Sequence, residues 1–159
     1  MMSATETALS ANRELVLTRV FDAPRALVFK AWTDPTLMAR WWGPHHFTNP
    51  VCELDVRPGG AIHLVMRGPD GRDHPMGGTF HEIAPPERLV FTGTVDDANG
   101  KRLLEVHNTV TFAEQGGKTT LTLRAVVVKA APESAPMLAG MEAGWTQSLE
   151  RLGQLVSGR

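Results

Sequence analysis

From Val51 to about Lys129 apolar and polar residues alternate with a period of two, the pattern of strands with one face on a core and one in water. Cys52, Leu54 and Val56 alternate with Glu53, Asp55 and Arg57, and Ile62, Leu64 and Met66 alternate with His63, Val65 and Arg67. Met76 to Ile83, Arg88 to Val95, Leu103 to Phe112 and Thr119 to Lys129 continue the series. Pro58-Gly59-Gly60, Gly68-Pro69-Asp70-Gly71, Pro85-Pro86, Asp96 to Gly100 and Gly116-Gly117 punctuate it as turns. This predicts an antiparallel meander of hairpins.

The flanks follow other rules. Glu14 to Phe21 reads as one more strand, with Leu15 and Leu17 on one face and Val16 and Val20 on the other. Asp22-Ala23-Pro24 opens a short helix carrying Leu27, Val28, Ala31 and Trp32, since proline is tolerated in a first turn. Asp34 then caps a second short helix carrying Leu37, Met38, Trp41 and Trp42, which Gly43-Pro44 stops. After Pro132 the period becomes 3.6, with Met137, Met141, Trp145, Leu149, Leu152, Leu155 and Val156 on one arc of a helix of about 20 residues. About seven strands, one long closing helix and no βα alternation predict an α+β fold: a curved antiparallel sheet wrapped on the C-terminal helix, with two short helices after strand one.

Composition adds exclusions. A chain of 159 residues with 42% hydrophobic and 21% charged residues suits one folded domain, expected over residues 13–159 behind a flexible tail, 1–12. A net charge of −1 without a basic run gives no footprint for a phosphate backbone, so no nucleic-acid partner is expected. No apolar stretch approaches a membrane span and Met1 to Asn12 lacks a signal-peptide pattern. With Cys52 the only cysteine, no internal disulfide can form, and a cytoplasmic location is expected.

No pattern names a reaction. None of Ser3, Ser10, Ser134, Ser148 and Ser157 lies in a Gly-x-Ser-x-Gly elbow. His81-Glu82 lacks the second histidine of a zinc-protease helix, adjacent His45-His46 point apart in a loop, and His63 and His107 fall on polar strand faces. Glu53 and Asp55 share a wet face, and Cys52 reads as a small buried hydrophobe. The expectation is therefore no catalytic residue, no metal and no cofactor. Two anomalies stand out. Asn108 interrupts the apolar face of Leu104, Val106, Val110 and Phe112, and a buried amide needs a neighbour, a trapped water or a ligand as partner. Gly144 and Ser148 project within the same helical arc as Met137, Met141, Trp145 and Leu152, where larger side chains would fill a core, so either the sheet approaches closely there or space is left open.

Several segments, in order and spacing, carry a resemblance: Val20-Phe21-Asp22-Ala23-Pro24, Ala31-Trp32-Thr33-Asp34-Pro35, Arg40-Trp41-Trp42-Gly43-Pro44, Asp55-Val56-Arg57-Pro58-Gly59-Gly60, Pro85 to Thr92, and Gly144-Trp145-Thr146-Gln147-Ser148-Leu149. They resemble bacterial single-domain proteins related to the C-terminal domain of the activator of the Hsp-ninety ATPase, in the START-like, Bet v-type superfamily of polyketide cyclases and lipid carriers. The resemblance implies a helix-grip fold and offers no shared catalytic set to carry over. It implies a carrier or sensor of hydrophobic small molecules, or a chaperone accessory; a cyclase or hydrolase working in the same interior is the enzymatic alternative.

The expected partner is a hydrophobic small molecule held between sheet and closing helix, with a homodimer or a chaperone as further possible partners. The residues expected to meet the ligand are Trp41, Met66, Phe80, Phe91, Asn108, Met141, Trp145 and Ser148. Aromatic and aliphatic walls would supply affinity, and Asn108 or Ser148 would orient a polar group.

Overall fold

Strand β1 (Glu14–Phe21) leads into helices α1 (Arg25–Thr33) and α2 (Pro35–Met38), which carry the chain across to the opposite sheet edge. There the meander runs through β2 (Thr48–Leu54), β3 (Ala61–Arg67), β4 (Asp73–Ala84), β5 (Arg88–Asp96), β6 (Arg102–Gln115) and β7 (Lys118–Ala130). A 3-10 turn, Pro132–Ser134, then opens helix α3 (Ala135–Val156). This computed structural model describes residues 13–158; the expected tail, Met1 to Asn12, lies outside them. All pairings are antiparallel in the order β1-β7-β6-β5-β4-β3-β2, and the curved open sheet with α3 laid across it is the helix-grip fold that the periodicity predicts.

Local chemistry sets the joints. Asp34 caps α2, its carboxylate accepting from the Thr36 N–H at 2.9 Å. Thr119, fully buried, donates to the Ala23 carbonyl at 2.7 Å, and the Arg25 N–H donates to Glu114 at 2.8 Å. Together these fix the start of α1 on the β6–β7 hairpin. In the β2–β3 turn, a Cβ at Gly60 would lie 1.8 Å from the Asp55 carbonyl oxygen, so only glycine fits.

The turn also corrects one expectation. Val56 is exposed rather than facing the core, because β2 ends at Leu54 and Asp55 already pairs its N–H with the Ala61 carbonyl to begin the turn. Helix α3 gives a second correction. Met137 is exposed while Leu138 is buried. Each step of four residues advances about 40° around a helix, so three such steps back from Leu149 carry Met137 about 120° off the buried face.

Buried side chains fall into two clusters. The larger joins β1, the inner sheet face and the short helices to Leu149, Leu152 and Val156 of α3. At its centre Trp32 meets Trp41 at 4.7 Å and stacks on Trp145 at 5.9 Å, and Phe91 and Phe112 flank it. The smaller cluster joins Leu104, Val106, Ala125 and Val127 to Leu138.

Two predictions follow from this packing. Leu152→Ala removes a fully buried side chain and should lower unfolding free energy by about 2–5 kcal/mol in urea titrations. Val20→Ala, on the solvent face of β1, should change it by less than about 0.5 kcal/mol. Burial, reinforced by the Asp34 carboxylate, pushes the Cys52 thiol from 9.0 up to about 11. The folded chain therefore holds this proton after the unfolded chain has lost it. Stability should fall as pH rises from 9 to 11 and level off beyond. In Cys52→Ala that part of the slope should vanish, and at pH near 8 the native thiol should react with a maleimide at least about tenfold more slowly than in urea.

Candidate functional site

The two clusters do not meet everywhere. Between them, under the N-terminal half of α3, lies a cavity of about 630 Å³. Its floor is the inner face of the sheet, with Met66 from β3, Met76 from β4, Phe91 and Gly93 from β5, and Val106 and Asn108 from β6. Its roof is Met137, Gly140, Met141, Gly144 and Trp145 of α3, and one end is closed by Trp42, Gly43, Pro44 and Phe47. Exposed His74, Asp73, Asp96 and Met137 mark where it opens to solvent.

Along its edge α3 carries two glycines, Gly140 exposed and Gly144 half-buried. A Cβ at either would find no atom within 4 Å outside its own helix, so the sheet does not approach closely at Gly144 and the space beside it is open. Gly153 in the same helix serves the opposite purpose, since a Cβ there would lie 3.2 Å from the Phe21 ring, where helix and β1 approach closely.

The end wall is fastened to α3 by polar contacts. The Ser148 hydroxyl accepts from the Gly43 N–H at 3.0 Å and donates to the Gly144 carbonyl at 2.9 Å. Arg151 donates to the carbonyls of Trp42, Gly43 and Pro44 at 3.0–3.1 Å and to that of Arg40 at 3.2 Å. Burial alone pushes its guanidinium below its ordinary pKa, and among the described residues no carboxylate pairs with it. From the other side the Asn49 amide donates to the Ala39 and Trp42 carbonyls at 3.0 and 2.8 Å. The loop is thus held through its backbone. Gly43 takes a positive φ of 97° there, and a Cβ on it would press on the Met66 sulfur at 3.1 Å.

Six of the eight residues expected to meet a ligand line this space: Met66, Phe91, Asn108, Met141, Trp145 and Ser148. Trp41 and Phe80 do not line it. Trp41 is fully buried in the larger cluster with its indole N–H donating to the Ala31 carbonyl at 2.9 Å, and its neighbour Trp42 takes the cavity wall. Phe80 is 1% exposed and sealed in the larger cluster beside Phe91. Ser148 reaches the wall, but its donor and one acceptor site are taken by the loop and its own helix. Trp42, Met76, Gly93 and Gly140, outside those eight, also line it.

Asn108 is the polar anomaly of the wall. It is 3% exposed, its amide nitrogen donates to the Val106 carbonyl at 3.2 Å, and its side-chain oxygen has no hydrogen-bond partner. Reversing the amide would set that oxygen against the Val106 carbonyl oxygen, so the observed orientation is the favourable one.

Of the titratable groups, His74, Asp73 and Asp96 stand at the cavity mouth, and the strand residues His63, His81, His107 and Glu82 lie on the other side of the sheet. His63 contacts Glu53 at 3.0 Å, His107 stacks on His81 at 5.6 Å, and Glu82 accepts from Arg88 at 3.3 Å. Their strand neighbours Ile62, Leu64, Val106 and Asn108 point inward. The cavity as built can hold an apolar body and present it one amide.

No curated protein matches the chain. Among solved structures, a protein from Arthrobacter aurescens is 26% identical and aligns over 99% of this chain and 91% of its own, with a TM-score of 0.80. A Chromobacterium violaceum protein is 30% identical over 90% of this chain and 96% of its own, with a TM-score of 0.72. The AHSA1 protein of Silicibacter pomeroyi is 25% identical over 91% and 98%, with a TM-score of 0.75. Residues 22–157 match the family described as "Activator of Hsp90 ATPase homolog 1-like protein". With that match spanning nearly all of the helix-grip fold, the chain belongs to this family, within the START-like superfamily.

Proposed function

We propose that the protein binds a hydrophobic small molecule in the cavity under α3. The observation that carries this reading is the cavity itself, about 630 Å³ between sheet and helix with a mostly apolar lining. A glycine in a helix interior costs about 0.5–1 kcal/mol relative to alanine. Half-buried Gly144, at the edge of the cavity, carries that cost although no neighbour requires the missing Cβ, which keeps the space beside it clear. That space, about 630 Å³, falls in the range of small-molecule sites, and its lining of tryptophan, phenylalanine and methionine suits an apolar guest. Met66, Met76, Met137 and Met141 are unbranched and repack around different shapes, which favours a class of ligands over a single one.

A chaperone-accessory role rests on the family description alone, and an enzymatic role on superfamily analogy. The exposed aliphatic residues Val16, Val20, Leu27, Val56 and Val128 are spread over β1, α1, the β2–β3 turn and β7, which lends no added weight to a protein partner.

Titration with the neutral fluorophore N-phenyl-1-naphthylamine tests the reading. Its emission should rise saturably as Trp42 and Trp145 fluorescence falls. Gly144→Leu should abolish the change while raising the melting temperature, since the new side chain enters open space and improves helix propensity. No saturable response, or one unaltered in Gly144→Leu, would refute cavity binding. Arg151→Met removes a donor from the Arg40, Trp42, Gly43 and Pro44 carbonyls, of which Trp42 keeps Asn49 and Pro44 keeps the Phe47 N–H. It should destabilise the chain by about 2 kcal/mol, speed amide exchange across residues 42–47, and weaken probe binding several-fold.

A further inference from the structure

We infer that the molecule bound here is uncharged and carries a hydroxyl, or an equivalent hydrogen-bond donor, which it places against Asn108. The inference rests on the cavity reading above and narrows it to a chemical class. The Asn108 side chain projects inward between Val106 and Val110, reaches the cavity wall, and is almost wholly buried. Its oxygen has no partner among the protein's own groups, and a buried acceptor that a guest seals from water without supplying a donor costs free energy. Only a donor relieves it. An ether, a ketone or a plain hydrocarbon occupying the same space leaves the oxygen as it was.

The neighbouring positions keep room for such a group. Gly93, on the adjacent strand, carries no side chain, and a Cβ there would come to 3.7 Å from the Asn108 amide nitrogen and 3.6 Å from the Met76 methyl. The amide nitrogen has a second hydrogen beyond the one given to Val106, so a hydroxyl, donor and acceptor at once, complements both ends of the amide. The terminal torsion of asparagine is soft, which lets the oxygen follow the donor without loss of the rotamer.

Charge excludes the other common amphiphiles. No Lys or Arg lines the cavity, and its rim carries the carboxylates Asp73 and Asp96 with one imidazole, His74, at the solvent-exposed mouth away from Asn108. The two carboxylates are already paired with Arg67 and Arg102. A carboxylate carried to Asn108 would be desolvated with no cation to meet it, a far larger penalty than burying a hydroxyl. The site therefore selects phenol-like or alcohol-bearing apolar molecules over fatty acids and aromatic acids.

The test uses the full chain and three ligands of one shape: 2-naphthol, 2-methoxynaphthalene and 2-naphthoate, measured by calorimetry near pH 7 beside the N-phenyl-1-naphthylamine control. Wild type should bind 2-naphthol about tenfold more tightly than the methyl ether and the carboxylate. In Asn108→Leu, naphthol and ether should bind within about twofold of each other, and the melting temperature should rise because the unsatisfied amide is gone. A fall in melting temperature would show that the amide serves the fold, and would overturn the inference, as would a naphthol preference that survives the substitution. Should Asn108→Leu not fold, the wild-type ranking decides alone, and Asn108→Ser repeats the comparison. If the control probe binds but naphthol shows no advantage over its ether, the inference falls and the cavity reading stands. If the probe does not bind at all, both fall.

Discussion

Helix α3 is pinned to the sheet at two separated places. Leu149, Leu152 and Val156 hold its C-terminal half in the larger apolar cluster, with Gly153 letting the helix backbone settle on Phe21. Leu138 holds its N-terminal end on Leu104, Val106, Ala125 and Val127. A straight helix lying across a curved sheet touches it only where curvature brings the two together. The stretch between the pins must either be filled by long side chains or left empty. Met141 and Trp145 line it without filling it, Gly144 leaves its edge clear, and the interior becomes a container. The same residue type thus does two opposite things within one helix: at Gly153 it removes a steric bar to contact, and at Gly144 it withholds a contact that was sterically free.

An empty interior needs a rigid wall, because a loose one would collapse into it. The wall here is irregular backbone, residues 42–47, which cannot satisfy its carbonyls by sheet or helix pairing. Arg151 and Asn49 donate to those carbonyls from two directions, and Ser148 accepts from the Gly43 N–H. Arginine suits the position because its planar fork reaches several carbonyls at once, and carbonyl dipoles partly offset the removal of its charge from water. The indole of Trp145 completes the arrangement: stacked on Trp32 and edge-on to Trp42, it belongs to the core on one side and to the cavity on the other.

The strands and the closing helix were legible because period two and period 3.6 are consequences of backbone geometry and persist over many residues. Where the period breaks, legibility ends. Val56 continues an alternation that the backbone has already left for a turn, and Met137 continues an i,i+4 series that drifts off the buried face. Trp41 and Trp42 are adjacent in a turn with no period, so only their packing shows that the first is sealed in the core and the second faces the cavity. Phe80 and Phe91 are cross-strand partners on the same inner face, and which of the two borders empty space depends on sheet curvature, which no local pattern encodes. Arg151 gave no signal, since a cation on a largely exposed flank of a helix reads as solvated until its carbonyl partners, more than a hundred positions away, are in view. Asn108 was legible as an anomaly because a single amide among aliphatic residues violates a clean pattern.

The segments that carry the family resemblance are chiefly structural in this chain. Trp41-Trp42-Gly43-Pro44 forms the clamped wall, Asp55 to Gly60 the tight turn, and Gly144 to Leu149 the part of α3 that meets the core. Most of the surface that a guest would touch lies outside those segments: Met66, Met76, Gly93, Val106, Asn108, Met137, Gly140 and Met141. Frame and contents are therefore specified by different residues. A change at Met76 or Asn108 can alter what fits without disturbing the clamp, the turn or the tryptophan stack. The match across residues 22–157 accordingly speaks for the container, and the choice of guest has to be argued from the wall, as fold alone does not set function.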